Sequence, residues 1–252
     1  MTGGDALARL RAEPRRTAIL TDFDGTLAHV VDDPAAAVPV AGAAALLRAL
    51  TDRYARVAVI SGRPAAFLVD RLGVGVPVSG LYGLEEADGL GQVTTAAEAG
   101  EWIEVVADAA GRARVELGPV VEPKGASLTL HFRTAPERAG EVHAWAVSEA
   151  ARSGLHVRAA KASVELHPPV STDKGTVVDA LVAGLDAACF LGDDLGDLPA
   201  FDALDRFAAD GGHAVRIAVR TDESPDAMLA RADLVVEGPH GALEVLEQLA
   251  AG

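Results

Sequence analysis

The sequence predicts an α/β protein: a doubly wound, mostly parallel sheet as the core, with a smaller α/β module inserted into it. Three observations lead there. Short β-rich runs bounded by turn residues alternate with Ala/Leu-rich helical patterns, as in βα units around a parallel sheet. Acidic or small polar residues directly follow several of the apolar runs, where the loops at the carboxyl edge of such a sheet converge. From about residue 85 to residue 166 this alternation gives way to strand pairs that look antiparallel.

In chain order, "TAILT" is the first strand, 17–21. A helical pattern over 41–54 and a strand over 56–61 follow, then a helix over 64–72 that opens on Pro64 and stops at Gly73, and a strand over 76–79. The Gly-rich turn "EEADGLGQVTT" begins the insert. It continues with a long helix over 96–117, the alternating strand "SLTLHFR", a helix over 136–153, and short strands at 155–157 and 163–166. The core pattern then resumes with helices at 172–185, 197–207, 225–231 and 241–249 around strands at 188–191, 215–219 and 233–236. The expected division is a core of residues 1–84 and 167–252, with an insert of 85–166.

With 252 residues, 50% of them hydrophobic, the chain buries a sizeable core. A formal net charge of −15 disfavours nucleic acid and anionic lipid as partners, and an anionic small substrate then needs a local positive site. No apolar run approaches the ~18–20 residues that span a bilayer, and the arginines near the start precede no signal-like apolar block. The lone Cys189 forms no intrachain disulfide and no multi-thiolate metal site, in keeping with a soluble, cytoplasmic protein. The sequence is silent on oligomeric state.

The chemistry gathers at four places. "DFDGT" puts Asp22 and Asp24 at the end of a buried strand, where carboxylates are costly unless a cation meets them. "VISGR" places Ser61, Gly62 and Arg63 after the second core strand, and "FLGDDLGD" places Asp193, Asp194 and Asp197 after the strand that follows the insert. Lys174 opens a helix leading to the same edge. Asp22, Asp193 and the main-chain carbonyl of Asp24 make an oxygen-rich donor set suited to Mg²⁺. Asp22 is the candidate nucleophile toward phosphorus and Asp24 the candidate acid and base. Ser61, the amides around Gly62 and Lys174 are candidates to steady phosphoryl oxygens, with Asp194, Asp197 and Arg63 surrounding them. An EF-hand reading of "DFDGT" fails, because Thr26 occupies the third acidic position, the glycine falls at Gly25 instead of Leu27, and a strand precedes it.

In that order, "DFDGTL", "VISGR", "DKG" and "FLGDD" resemble the haloacid dehalogenase-like superfamily. The additional stretches "VEPKGASLTLHFR", "SVELHPP" and "GDDLGDLPAF" are similar to the trehalose-6-phosphate phosphatases among them, over about residues 18–249. The resemblance implies that the insert is a cap and that Glu122, Lys124 and Glu165 bind sugar hydroxyls. It also implies a small-molecule sugar phosphate as substrate. Three departures stand out: Gly80-Leu81-Tyr82-Gly83 replaces a common Gly-x-His-Gly, His167 stands at a usually basic position, and Gly196-Asp197-Leu198 replaces Thr-Asp-Glu. The alternative reading within enzymes is a phosphatase or phosphomutase for another sugar phosphate, such as sucrose 6-phosphate or a glycosylglycerate phosphate. A receiver-type signalling module also uses an acceptor Asp, acidic metal ligands, a hydroxyl and a lysine, but it is much shorter and lacks an acid two residues after its acceptor.

Overall fold

A computed structural model describes residues 3–251 apart from Pro119, Lys161 and Glu223. In chain order its elements are α1 (Gly3–Ala12), β1 (Thr17–Thr21), α2 (Ala43–Arg53), β2 (Arg56–Ile60), α3 (Ala65–Leu72), β3 (Val78–Gly80), β4 (Glu85–Ala87) and β5 (Val93–Thr95). Then come α4 (Ala97–Gly100), α5 (Ile103–Leu117), β6 (Val121–Pro123), β7 (Leu128–His131), α6 (Ala139–Ser153), β8 (His156–Ala160) and β9 (Ser163–His167). The chain closes with α7 (Lys174–Val182), β10 (Ala187–Gly192), α8 (Leu198–Ala209), β11 (His213–Arg220), α9 (Asp226–Leu229), β12 (Leu234–Glu237) and α10 (Gly238–Ala250).

Two compact units form, one of Met1–Val93 with Thr172–Gly252 and one of Thr94–Ser171. In the first, an eight-stranded sheet runs β12-β11-β10-β1-β2-β3-β4-β5. From β12 through β3 all pairs are parallel. Strand alternation sends Ile19, Val57, Val59, Cys189 and Ile217 to one core with Leu47, Leu68 and Leu246. It sends Leu20, Ile60, Phe190 and Ala218 to a second core with Val178, Phe201 and Met228 on the other face. The fold is therefore α/β and doubly wound. Strand order reverses at β1, which has β2 on one side and β10 on the other, so the crevice between the ends of β1 and β10 is the topological switch point.

The expected insert starts at Glu85, whereas β4 pairs antiparallel with β3 and extends the large sheet. The expected single helix over 96–117 is broken between Gly100 and Ile103, where glycine weakens the helix. Helix α1 and strand β6 were not anticipated, and the expected helix over 225–231 contracts to the single turn of α9.

The second unit is an antiparallel sheet in the order β6-β7-β9-β8. Leu128, Leu130, Val164 and Leu166 face α5 and α6 through Val106, Ala110, Ala113, Val142 and Ala146. The alternate residues are polar and lie on the other face.

Candidate active site

The first turn after β1 is built around two conformational constraints. Asp22 donates its main-chain N–H to Leu191 O (2.8 Å), which locks the strand end to β10. Gly25 takes φ +76°, a backbone that favours glycine, and a Cβ there would collide with the Asp193 carboxylate. Asp193 therefore lies directly on the backbone of the turn that carries Asp22 and Asp24.

Lys174 starts α7 behind an Asp173–Thr176 capping box, which sets the helix origin. Its Nζ is 2.7 Å from Asp22 Oδ1 and 2.6 Å from Asp197 Oδ1, and all three residues are buried. The second oxygen of Asp197 accepts the N–H groups of Asp193 (2.9 Å) and Asp194 (3.2 Å). Asp194 Oδ1 in turn accepts from Gly196 N–H at 2.8 Å. With both oxygens engaged, Asp197 shapes the acidic loop and steers the lysine.

Carboxylate oxygens of Asp22, Asp193 and Asp197 lie within 4.8 Å of one another. Burial works against the Lys174 ammonium, but Asp197, Asp22 and Asp194 outweigh it and hold its pKa well above the usual lysine value. Burial pushes the Asp22 carboxyl well up; Lys174 opposes this, and Asp197, Asp193 and Asp194 add to it. A second cation beside Asp22 and Asp193 would restore the ionised carboxylate. Buried oxygen donors with excess negative charge fit a hard divalent ion, and Asp197, already saturated, would support it from behind.

Ser61, at the end of β2, is buried; its N–H donates to Ser79 O (2.9 Å) and its Oγ accepts from Arg63 N–H (3.3 Å). Arg63 makes a forked pair with Asp24, Nε to Oδ2 at 2.7 Å and Nη2 to Oδ1 at 2.8 Å. Its guanidinium also donates to Pro34 O at 2.8 Å and stacks 4.8 Å from the Phe67 ring centroid. Asp24 thus belongs to this arginine and not to the acidic triad. A cavity of about 880 Å³ lined by Asp179, Leu185, Asp186, Arg206 and Phe207 lies at the opposite edge, where β10 and β11 begin.

Glu122, Lys124 and Glu165 belong to the second unit. Strand register puts Glu122, Thr129, Glu165 and Arg158 in one row across β6, β7, β9 and β8. Glu165 is buried; it accepts from Ser127 Oγ (2.7 Å), and Arg158 lies 3.7 Å away. Glu122 lies 2.6 Å from His131 Nε2 and 3.9 Å from Lys124 Nζ.

A profile of the trehalose-phosphatase family matches residues 20–234. The chain belongs to that family. The trehalose-phosphate phosphatase of Mycolicibacterium paratuberculosis is 38% identical over 264 aligned residues, which cover 99% of this chain and 65% of that protein. The protein of the same name from Mycobacterium leprae is 36% identical, over 94% of this chain and 58% of its own length. The chain thus spans less than two thirds of the length of these relatives. The C-terminal domain of the C. albicans trehalose-6-phosphate phosphatase matches with a TM-score of 0.77 and 26% identity, over 98% of this chain and 96% of that one. A phosphatase of the HAD enzyme superfamily from Bacteroides thetaiotaomicron shares the fold, with a TM-score of 0.55 and 16% identity over 95% of this chain and 97% of that one.

For this member of the trehalose-phosphatase family, sequence reasoning passed over Ser127, Thr129, His131 and Arg158. The polar positions of "SLTLHFR" alternate with its leucines, and that period of two is the signal that could have placed Thr129 and His131 on the non-core face. Among the described residues, no helix is long and apolar enough to cross a membrane.

Proposed function

We propose that the chain is a Mg²⁺-dependent phosphatase that converts trehalose 6-phosphate to trehalose and phosphate through a phosphorylated Asp22, in the cytoplasm. The observation that carries this reading is the Lys174 bridge between Asp22 and Asp197, beside an Asp193 carboxylate seated on Gly25. Family membership supplies the substrate class.

Lys174 fixes Asp22 through Oδ1, which leaves Oδ2 to attack phosphorus as the bond to the sugar oxygen breaks. Asp24 gives that oxygen its proton. In the second half, Asp24 takes a proton from water as it attacks the acyl phosphate, and Asp22 and inorganic phosphate are released. Arg63 sets the orientation of Asp24 between these tasks. Ser61 Oγ and the Gly62 amide hold phosphoryl oxygens, with Lys174 providing charge. Asp22, Asp193 and the Asp24 carbonyl would hold Mg²⁺, which would supply positive charge against the phosphoryl oxygens. The second unit, Thr94–Ser171, would serve as a cap whose Glu122, Lys124 and Glu165 select the sugar.

The test is phosphate release from trehalose 6-phosphate, sucrose 6-phosphate and glucose 6-phosphate, with Mg²⁺ or with EDTA. Preferential turnover of trehalose 6-phosphate that EDTA abolishes supports the reading. Equal turnover of all three removes the sugar assignment, and turnover unaffected by EDTA removes the metal.

A further inference from the structure

Two consecutive residues after β3 have left-handed backbone that side chains rarely adopt, Leu81 with φ 50° and Tyr82 with φ 58°. Such strain persists only where the surroundings enforce it. Here they do. Leu81 N–H donates to Arg63 O (2.9 Å), Tyr82 N–H donates to Ser61 O (3.0 Å), and Thr172 Oγ1 donates to Tyr82 O (2.8 Å). The strained turn is thus bolted at both ends to the Ser61–Arg63 loop and to the segment leading into Lys174.

What the strain achieves is the placement of one ring. A Cβ on Gly62 would sit 2.6 Å from both Cζ and Oη of Tyr82, so the hydroxyl end of the phenol lies against the Gly62 backbone and only glycine admits it. The ring is half-buried. The hydroxyl end of the ring therefore lies against the Ser61–Arg63 loop, whose serine and amide would grip a phosphoryl group.

We propose that Tyr82 is a further substrate-binding residue of the first unit, whose hydroxyl donates a hydrogen bond to a phosphoryl oxygen of the substrate. This rests on the phosphatase reading above. A phenol donates one hydrogen bond while accepting others. If the ring served only to fill space over Gly62, phenylalanine would replace it without loss. The chemistry differs from that of the sugar-facing row, because a phosphoryl contact is blind to the alcohol being released.

Tyr82→Phe keeps the ring and removes the donor, which makes it the direct test in the full chain with saturating Mg²⁺. Orthophosphate binding is read by calorimetry, and kcat/KM is measured for trehalose 6-phosphate and for p-nitrophenyl phosphate. The expected result is about a tenfold loss in all three, the loss of one hydrogen bond to a charged group, with thermal stability unchanged. Orthophosphate binding equal to that of the wild type overturns the proposal, as does a loss confined to trehalose 6-phosphate. Wild-type protein that binds orthophosphate but hydrolyses neither ester sinks the parent reading and leaves the binding comparison intact.

Discussion

Lys174 Nζ stands 2.7 Å from Asp22 Oδ1, with both side chains buried. An ammonium buried among carboxylates is a fixed part of the site and not a solvated surface charge. Lys174→Met leaves Asp22 and Asp197 without that partner. Removing one member of a buried pair costs about 3–5 kcal/mol. Urea unfolding without metal is expected to show a loss of that size, and phosphate release is expected to fall by at least about 100-fold. A variant as stable as the wild type would show that the lysine is not the counter-charge of the acids.

Gly25 is where backbone conformation and metal chemistry meet, because Asp193 occupies the space a Cβ would need. Gly25→Ala is expected to displace Asp193 and to destabilise the chain by more than about 1 kcal/mol. The sharper readout is the rise in Tm that Mg²⁺ or Mn²⁺ is expected to produce in the wild type. That rise should shrink severalfold in the variant, and an undiminished rise would remove Asp193 from the ligand set.

The acidic core of the site was legible in the sequence because each carboxylate follows an apolar strand, and parallel topology brings such strand ends together. Asp197 was read as peripheral, yet it is fully buried and serves Lys174 and two amides at once. Sequence spacing does not reveal which carboxylate has both oxygens engaged. The row of Glu122, Thr129, Glu165 and Arg158 was hidden for another reason: its register joins residues far apart in the chain. Likewise, β4 followed a strand with which it pairs antiparallel, and its Gly-rich sequel read as a turn of the insert.

Glu165 is held by Ser127 and Arg158 in a sheet face directed by register and not by the core. Glu165→Gln keeps the shape and removes the charge. KM for trehalose 6-phosphate is expected to rise about tenfold or more, while hydrolysis of p-nitrophenyl phosphate, which has no sugar, stays the same. Equal losses on both substrates would place Glu165 outside sugar recognition.

His167 is expected to make the second unit sensitive to acid. Its Nδ1 lies 2.8 Å from Pro168 O, a pure acceptor, so Nδ1 carries the proton of the neutral ring. Burial lowers its pKa below 6.5; Arg158 and His156 act in the same direction, against Glu165 and the Pro168 carbonyl. A depressed histidine stabilises the fold above pH 6.5, and that contribution is lost as pH falls through 6.5 toward the folded value. Tm measured between pH 8 and pH 5 should therefore fall less steeply in His167→Gln than in the wild type. Parallel curves would mean that His167 titrates alike in both states.

The chemistry turns on whether Asp22 becomes phosphorylated. Asp24→Asn, which keeps the nucleophile but lacks the base that activates water, is to be mixed with trehalose 6-phosphate and Mg²⁺, quenched in acid and mapped by peptide mass spectrometry. A phosphoryl adduct on Asp22, absent when Asp22→Asn is combined with Asp24→Asn, is the expected result. An unmodified Asp22 peptide in a variant that still releases phosphate, or an adduct on any other residue, would contradict it.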